Sequence, residues 1–375
     1  MPFCYSPWTN IDISPQGDLN PCCKFKTPID SVKNIKNTSI KEYQESSNLK
    51  EIKTQFESGL WPIGCERCKI EEENGIESKR MLDYTRWKSH YDSYNTTSNQ
   101  FLTASIAFGN TCNLKCITCN PGSSSRWQQE HHDLFGIDIR PNHFYKAGFV
   151  EEFIACAPNL IHIDIPGGEP FLSGIKEQKD LLRHWIDSGQ AADVSIHYTT
   201  NVTVYPDDEW WKIWKHFKNV DIQLSLDGVG SKLEYIRYPA VWSDIYRNIE
   251  RYIETCNKHN NLQLSVSHTV SAYNVYYLDE FFTWCQHVGL PRPWIGRAHT
   301  PTTMRPTVWR PDANQYIIDH LKSSQHIDVQ TWALLLANND DSKYYTEFIR
   351  LMHWHDQYRG LNFSNIFPEM AQWIK

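Results

Sequence analysis

Cys112, Cys116 and Cys119 stand within eight residues, spaced C-x3-C-x2-C, just after the apolar run Ala104-Ser105-Ile106-Ala107-Phe108. Three thiolates on so short a loop cannot staple two elements together, but they can converge on one inorganic centre. Thiolate-rich sites suit iron–sulfur clusters or zinc. Zinc wants a fourth ligand to close its tetrahedron, and the next cysteine in the chain is Cys156. A [4Fe-4S] cluster held by three cysteines instead keeps one iron open to a small molecule.

A second thiol set lies upstream. Cys4 precedes a stretch in which Ile11 and Ile13 alternate with polar residues, as in a short strand, and Gly17 sits where a hairpin must reverse. That reversal returns Cys22 beside Cys4. After a polar helical stretch at 39–58 comes Trp61-Pro62-Ile63-Gly64-Cys65-Glu66-Arg67-Cys68, whose C-x2-C turn is a metal half-site by spacing. Cys4, Cys22, Cys65 and Cys68 then make four ligands, with Cys23 as a competitor for Cys22. A zinc ribbon is one reading of this set and an iron–sulfur site the other.

The elements that must position the loop follow from the alternation of β-rich runs with helical patterns, which implies βαβ units and a parallel sheet. Strands are expected at 103–108, 160–165, 194–199, 220–225, 263–270 and 293–297, with helices at Lys176–Ser188, Asp208–Phe217, Ser243–Asn257 and Leu278–His287 between most of them. In barrel-like α/β folds the functional loops follow the C-terminal ends of strands. At those ends stand Gly167-Gly168-Glu169, Thr200-Asn201, Ser225-Leu226-Asp227-Gly228 with Arg237 downstream, and His268 on the fifth strand. Two glycines let backbone approach a ligand closely, and one carboxylate can receive an ammonium group.

Taken in order, the cysteine loop, the Gly-Gly-Glu turn and the later strand ends resemble the radical S-adenosylmethionine (SAM) enzymes. The family's residue before the third cysteine is often aromatic, and here it is Thr118. The N-terminal set, with Gly17 five residues before Cys22 and the distant C-x2-C, resembles the twitch domain, a shortened SPASM domain that holds an auxiliary cluster. In most of the family this module follows the barrel, whereas here it precedes it. The resemblance implies an α/β fold: a partial (β/α)6 barrel over 101–300, a small iron–sulfur domain over 1–95 and a helical cover over 301–375. It implies a SAM-binding [4Fe-4S] cluster on Cys112, Cys116 and Cys119, and an auxiliary [4Fe-4S] or [2Fe-2S] cluster on Cys4, Cys22, Cys65 and Cys68. It assigns the SAM amino group to Gly167, Gly168 and Glu169, the ribose or the substrate to Thr200 and Asn201, the ribose to Ser225, the SAM carboxylate to Arg237, and a substrate-facing acid to Asp227. The implied activity is reductive cleavage of SAM to a 5′-deoxyadenosyl radical and hydrogen abstraction, with oxidative modification of a peptide or protein. Dehydrogenation of a small polyol is the alternative, and a metal-stabilised binding module the non-enzymatic one. An external electron donor such as flavodoxin or ferredoxin completes the partner set.

Composition bounds these readings. Of the 375 residues 40% are hydrophobic and 22% charged, which suits a large globular chain, and the net charge of −7 argues against a general nucleic-acid binder. No apolar run approaches the roughly 20 residues that span a bilayer, and Met1-Pro2-Phe3-Cys4 lacks the features of a signal peptide. A cytoplasmic setting is expected, where eleven cysteines are metal ligands or small buried hydrophobes before they are disulfides. Cys156, Cys256 and Cys285 show no metal spacing. Helices are expected at Ala313–Ser323 and Ser342–Arg359, and 89–100 reads as a linker.

Overall fold

The computed structural model describes residues 2–28, 31–73, 77–96, 98, 100–137 and 146–374. The six expected strands are all present: β4 (Thr103–Ile106), β5 (His162–Ile165), β6 (Ser195–Thr200), β7 (Asn219–Ser225), β8 (Leu262–Val270) and β9 (Trp294–Arg297). Three more precede them, β1 (Asn10–Ile13), β2 (Asp18–Asn20) and β3 (Lys33–Asn34). The chain divides into two compact units. One holds 1–112, 121–199 and 206–221, the other 113–120, 200–205 and 222–375. β7 begins in the first and ends in the second.

In the first unit the neighbours run β3-β2-β1-β4-β5-β6-β7. β1 and β2 form the expected hairpin, with Ile13 opposite Leu19 and Gly17 at φ 89° in the turn. β1 also pairs in parallel with β4, Asn10 opposite Thr103 through Ile13 opposite Ile106. The N-terminal segment therefore lengthens the sheet rather than standing apart from it. Ile163, Ile196 and Tyr198 present the apolar face and are buried. The helix Asp208–Trp214 meets that face, with Tyr198 and Trp214 ring centroids 5.2 Å apart. The expected linker is occupied in part by the helix Lys79–Asp92, and Tyr94 donates to the Trp8 carbonyl at 2.9 Å; residues 97 and 99 lie outside the described residues.

In the second unit β7, β8 and β9 are neighbours, and β8 and β9 run parallel. The C-terminal helices Pro311–Lys322, Ile327–Ala337 and Tyr345–Arg359 belong here; the middle one was not foreseen. Their core is aromatic: Tyr235, Tyr273, Trp309, Phe348, Phe363 and Phe367 are all at most 1% exposed. Edge-to-face pairs such as Tyr235–Phe367 at 5.1 Å explain where much of the aromatic content goes. His355 is buried, and Asp356 accepts from Tyr235 Oη at 2.8 Å and from the Phe363 N–H at 2.8 Å, so this pair builds the core.

Candidate functional site

The four N-terminal cysteines line one small cavity of about 20 Å³, together with Phe56, Trp61, Lys79 and Arg80; Cys23 is not among the lining residues. The hairpin supplies Cys22 and a helical turn supplies the pair, since Ile63–Cys65 forms a short 3-10 segment that continues as the helix Glu66–Glu73. The Lys26 N–H donates to the Gly64 carbonyl at 3.0 Å and ties the two together. A Cβ at Gly64 would lie 2.4–2.7 Å from the far edge of the Phe25 ring, so any larger residue there would make that ring move. Cys4 and Cys65 pack against the Trp8, Ile52 and Phe56 core. Burial pushes the Cys4 and Cys22 thiols up and the Cys65 thiol up to about 12, with neighbouring thiols adding to each rise. Soft donors, crowded and desolvated around a void, fit a multi-iron centre whose positive charge would offset the thiolates. Among the described residues no group of three His, Cys, Asp or Glu side chains is arranged to hold a single metal ion.

The Gly-Gly-Glu turn after β5 rests on the chain leading into Cys112. Gly167 and Gly168 have φ of 91° and 52°. A Cβ on Gly168 would strike the Thr111 carbonyl oxygen and lie 2.9 Å from the Asn110 and Thr111 carbonyl carbons; one on Gly167 would lie 2.5 Å from Ala107 Cβ. Only glycine permits both the backbone angle and the approach. The Glu169 N–H then donates to the Thr111 oxygen at 2.8 Å, one residue before Cys112. Glu169 is fully buried, and its Oε1 accepts from the Phe171 N–H at 3.2 Å. Ser125 holds the same limb, its N–H donating to the Asn110 carbonyl at 2.8 Å.

Cys116 and Cys119 lie on the limb that the second unit holds. The Lys115 and Ile117 N–H groups donate to the Tyr238 and Ile236 carbonyls at 2.7 and 2.8 Å, and the Cys119 N–H to the Cys116 carbonyl at 2.9 Å. Arg359 Nη2 donates to the Lys115 carbonyl at 2.9 Å, and the Lys115 ammonium lies 5.2 Å from the Tyr238 ring centroid. Asn201 donates to Asn113 Oδ1 at 3.0 Å, and Asn113 donates to Thr203 at 2.8 Å. Thr200, also buried, accepts from the Val202 N–H at 3.1 Å. Val202 is at φ 68°, left-handed for a β-branched residue, and Asn248 Nδ2 holds its carbonyl at 2.8 Å. Such conformations cost about 1–3 kcal/mol and concentrate at functional sites. Nothing in the sequence announced Val202, Arg359 or Asn113.

Asp227 is 1% exposed; its Oδ1 accepts from the Thr269 N–H at 2.9 Å, and its Oδ2 is ion-paired with Arg237 Nη2 at 2.9 Å. Its carboxylate is thus paired with Arg237, the residue expected at the SAM carboxylate. Ser225 Oγ lies 3.3 Å from Ser267 Oγ. His268 donates through Nδ1 to the Leu226 carbonyl at 2.9 Å, and its Nε2 has no partner among the described residues. Burial, only partly offset by Asp227, lowers its pKa to about 4.

Residues 4–69 match the SPASM family model, an iron–sulfur cluster-binding domain; the match begins at Cys4 and takes in Cys22, Cys65 and Cys68. Among solved structures, native anSMEcpe with bound AdoMet is 14% identical over 58% of this chain and 58% of that one, at a TM-score of 0.43. SuiB of Streptococcus suis bound to S-adenosylmethionine is 16% identical over 72% of this chain and 60% of that one, at a TM-score of 0.40. TYW1 with a lysine-pyruvate adduct is 12% identical over 70% of this chain and 90% of that one, at a TM-score of 0.37. The chain thus spans less than two thirds of the length of the first two. No curated protein matches it. Among the described residues no helix is long and apolar enough to cross a membrane. What the family comparison shows of this chain is a SPASM segment, an iron–sulfur cluster-binding domain, over residues 4–69.

Proposed function

We propose that this chain is a radical SAM enzyme that oxidatively modifies a peptide or protein. Residues 1–95 form the auxiliary-cluster module, 101–300 the partial barrel and 301–375 the helical cover. The observation that carries the reading is the close approach of Gly168 to Thr111, which bonds the backbone of the buried Glu169 to the residue before Cys112. When bound, the cluster on Cys112, Cys116 and Cys119 with SAM supplies a 5′-deoxyadenosyl radical. Glu169 takes the ammonium of SAM, and Arg237, held by Asp227, takes its carboxylate. Thr200 and Asn201 act through backbone and Asn113 to fix the loop's shape, since their side-chain groups are bonded there. Burial of Glu169 and Asp227 at 0% and 1% keeps water from competing for these contacts. The peptide class follows the family resemblance, and the enzyme's reductant is an external carrier such as flavodoxin or ferredoxin.

The test is anaerobic reconstitution of the full chain and of Cys112→Ala/Cys116→Ala/Cys119→Ala, followed by iron analysis and assay of 5′-deoxyadenosine. The variant should keep the N-terminal iron and lose all SAM cleavage. Deoxyadenosine released at the parent rate by the variant would refute the assignment.

A further inference from the structure

Strand register sets Asp12 opposite Ser105, Ser105 opposite Asp164 and Asp164 opposite His197. His197 Nδ1 lies 2.8 Å from Asp221 Oδ2, so a polar row crosses five strands. Successive strand residues alternate between faces, and the opposite face carries Ile11, Ile13, Ile163 and Ile196. Asp12 ends the row and is 8% exposed. In register it stands opposite Ser105 on β4 and Asn20 on β2, and its carboxyl feels the charge of Lys79 from the helix Lys79–Asp92, of Asp164 from β5, and of Cys23 and Tyr43. Burial raises its pKa to about 6.

The hairpin bearing Asp12 is also the one whose flanks bear Cys4 and Cys22. Lys79 joins the two places. It lines the cysteine cavity, its ammonium is gripped by Asp83 at 2.7 and 2.9 Å, and it attracts Asp12, Cys22 and Cys23. Burial opposes its charge, yet Asp83, Cys23 and Asp164 keep it protonated.

We propose that Asp12 takes up one proton when the N-terminal cluster gains one electron, so that the charge arriving at the cysteines is offset inside the same unit. The inference rests on the reading of those cysteines as iron–sulfur ligands. An added negative charge raises the proton affinity of a nearby carboxyl, and protein-enclosed groups feel it with less screening than surface groups. The electron comes from an external low-potential reductant, the proton from solvent, and the only bond formed is O–H on Asp12. Asp164 keeps 37% of its side-chain surface accessible, which gives solvent protons entry beside Ser105. His162 is bonded to Asp164 at 3.1 Å and helps hold that carboxylate ionised.

The measurement is a redox titration of the full-length Cys112→Ala/Cys116→Ala/Cys119→Ala chain, followed by electron paramagnetic resonance from about pH 5 to about pH 9. The midpoint potential should be level at the acid end, fall above about pH 6 by at most about 59 mV per pH unit, and level again. Adding Asp12→Asn should abolish the slope and hold the potential at the acid limit of the parent. A parent potential that ignores pH, or a slope that survives Asp12→Asn, overturns the inference. If the triple variant does not fold, the native chain with both clusters serves, the N-terminal signal being the one lost in Cys65→Ala. Absence of any cluster on the N-terminal cysteines would instead overturn the ligand reading, so the two failures are distinguishable.

Discussion

Gly168→Ala isolates the contact on which the proposed SAM site is built. The substitution imposes two costs. A non-glycine residue at φ 52° carries about 1–2 kcal/mol of left-handed strain. The new Cβ also strikes the Thr111 carbonyl oxygen and lies 2.9 Å from two carbonyl carbons, backbone that cannot swing aside as a side-chain tip would. Overpacking of this kind costs about 1–3 kcal/mol. Gly136→Ala is the control: Gly136 has φ 67° with nothing within 4 Å of the added Cβ, so it bears the first cost alone. Denaturant unfolding of both variants should therefore place Gly168→Ala below Gly136→Ala by the clash, on the order of 1–3 kcal/mol. SAM binding, measured anaerobically by equilibrium dialysis, should fall in Gly168→Ala and stay at the parent value in Gly136→Ala. Equal stability and unchanged SAM affinity for the two variants would refute the argument that this turn is clamped to the cysteine limb.

The strands were legible because their apolar faces alternate with polar residues over short runs, as Ile163 and Ile165 do about Asp164. The Leu278–His287 helix falls on its expected bounds for the same reason. The hairpin was readable from Gly17, but not its parallel pairing to β4, since register between distant segments leaves no mark in one sequence. The alternation of Ile11, Asp12 and Ile13 predicted one buried face; both are buried, because the helix Lys79–Asp92 and its Lys79 lie over the polar side. The cysteines were legible by spacing, and Gly64 only in retrospect, through the Phe25 ring above it. Arg359 reaches Lys115 across 244 residues, a separation at which residue type alone says nothing of partners. The strained Val202 could not be foreseen, since its sequence neighbours carry no glycine or asparagine signal for φ 68° at that position beyond the preceding Asn201.

Glu169→Gln should weaken SAM binding about ten- to a hundred-fold, because hydrogen bonds to charged groups contribute about 1.5–3 kcal/mol; anaerobic affinity equal to that of the parent would make the turn purely structural. Cys65→Ala with Cys68→Ala should leave deoxyadenosine formation intact and abolish oxidised product, while Cys23→Ala, outside the cavity lining, should retain both clusters; normal product from the double variant, followed by mass spectrometry, would exclude electron acceptance there. His268 makes stability depend on pH with a definite sign. Its folded pKa of about 4 lies below its ordinary 6.5, so the unfolded chain binds the proton more readily. Its contribution is fully present above pH 6.5 and is lost as the pH falls toward 4. At about 1.4 kcal/mol per unit the whole effect is on the order of 3 kcal/mol. His268→Asn keeps an N–H to offer the Leu226 carbonyl but has no ring to titrate. Unfolding free energies of the two chains should therefore differ by a pH-dependent amount that shrinks between pH 6.5 and 4 as the parent alone loses stability. Parallel curves through that window would mean that the folded chain binds the His268 proton as readily as the unfolded chain, so that Asp227, its charged neighbour, fully offsets burial.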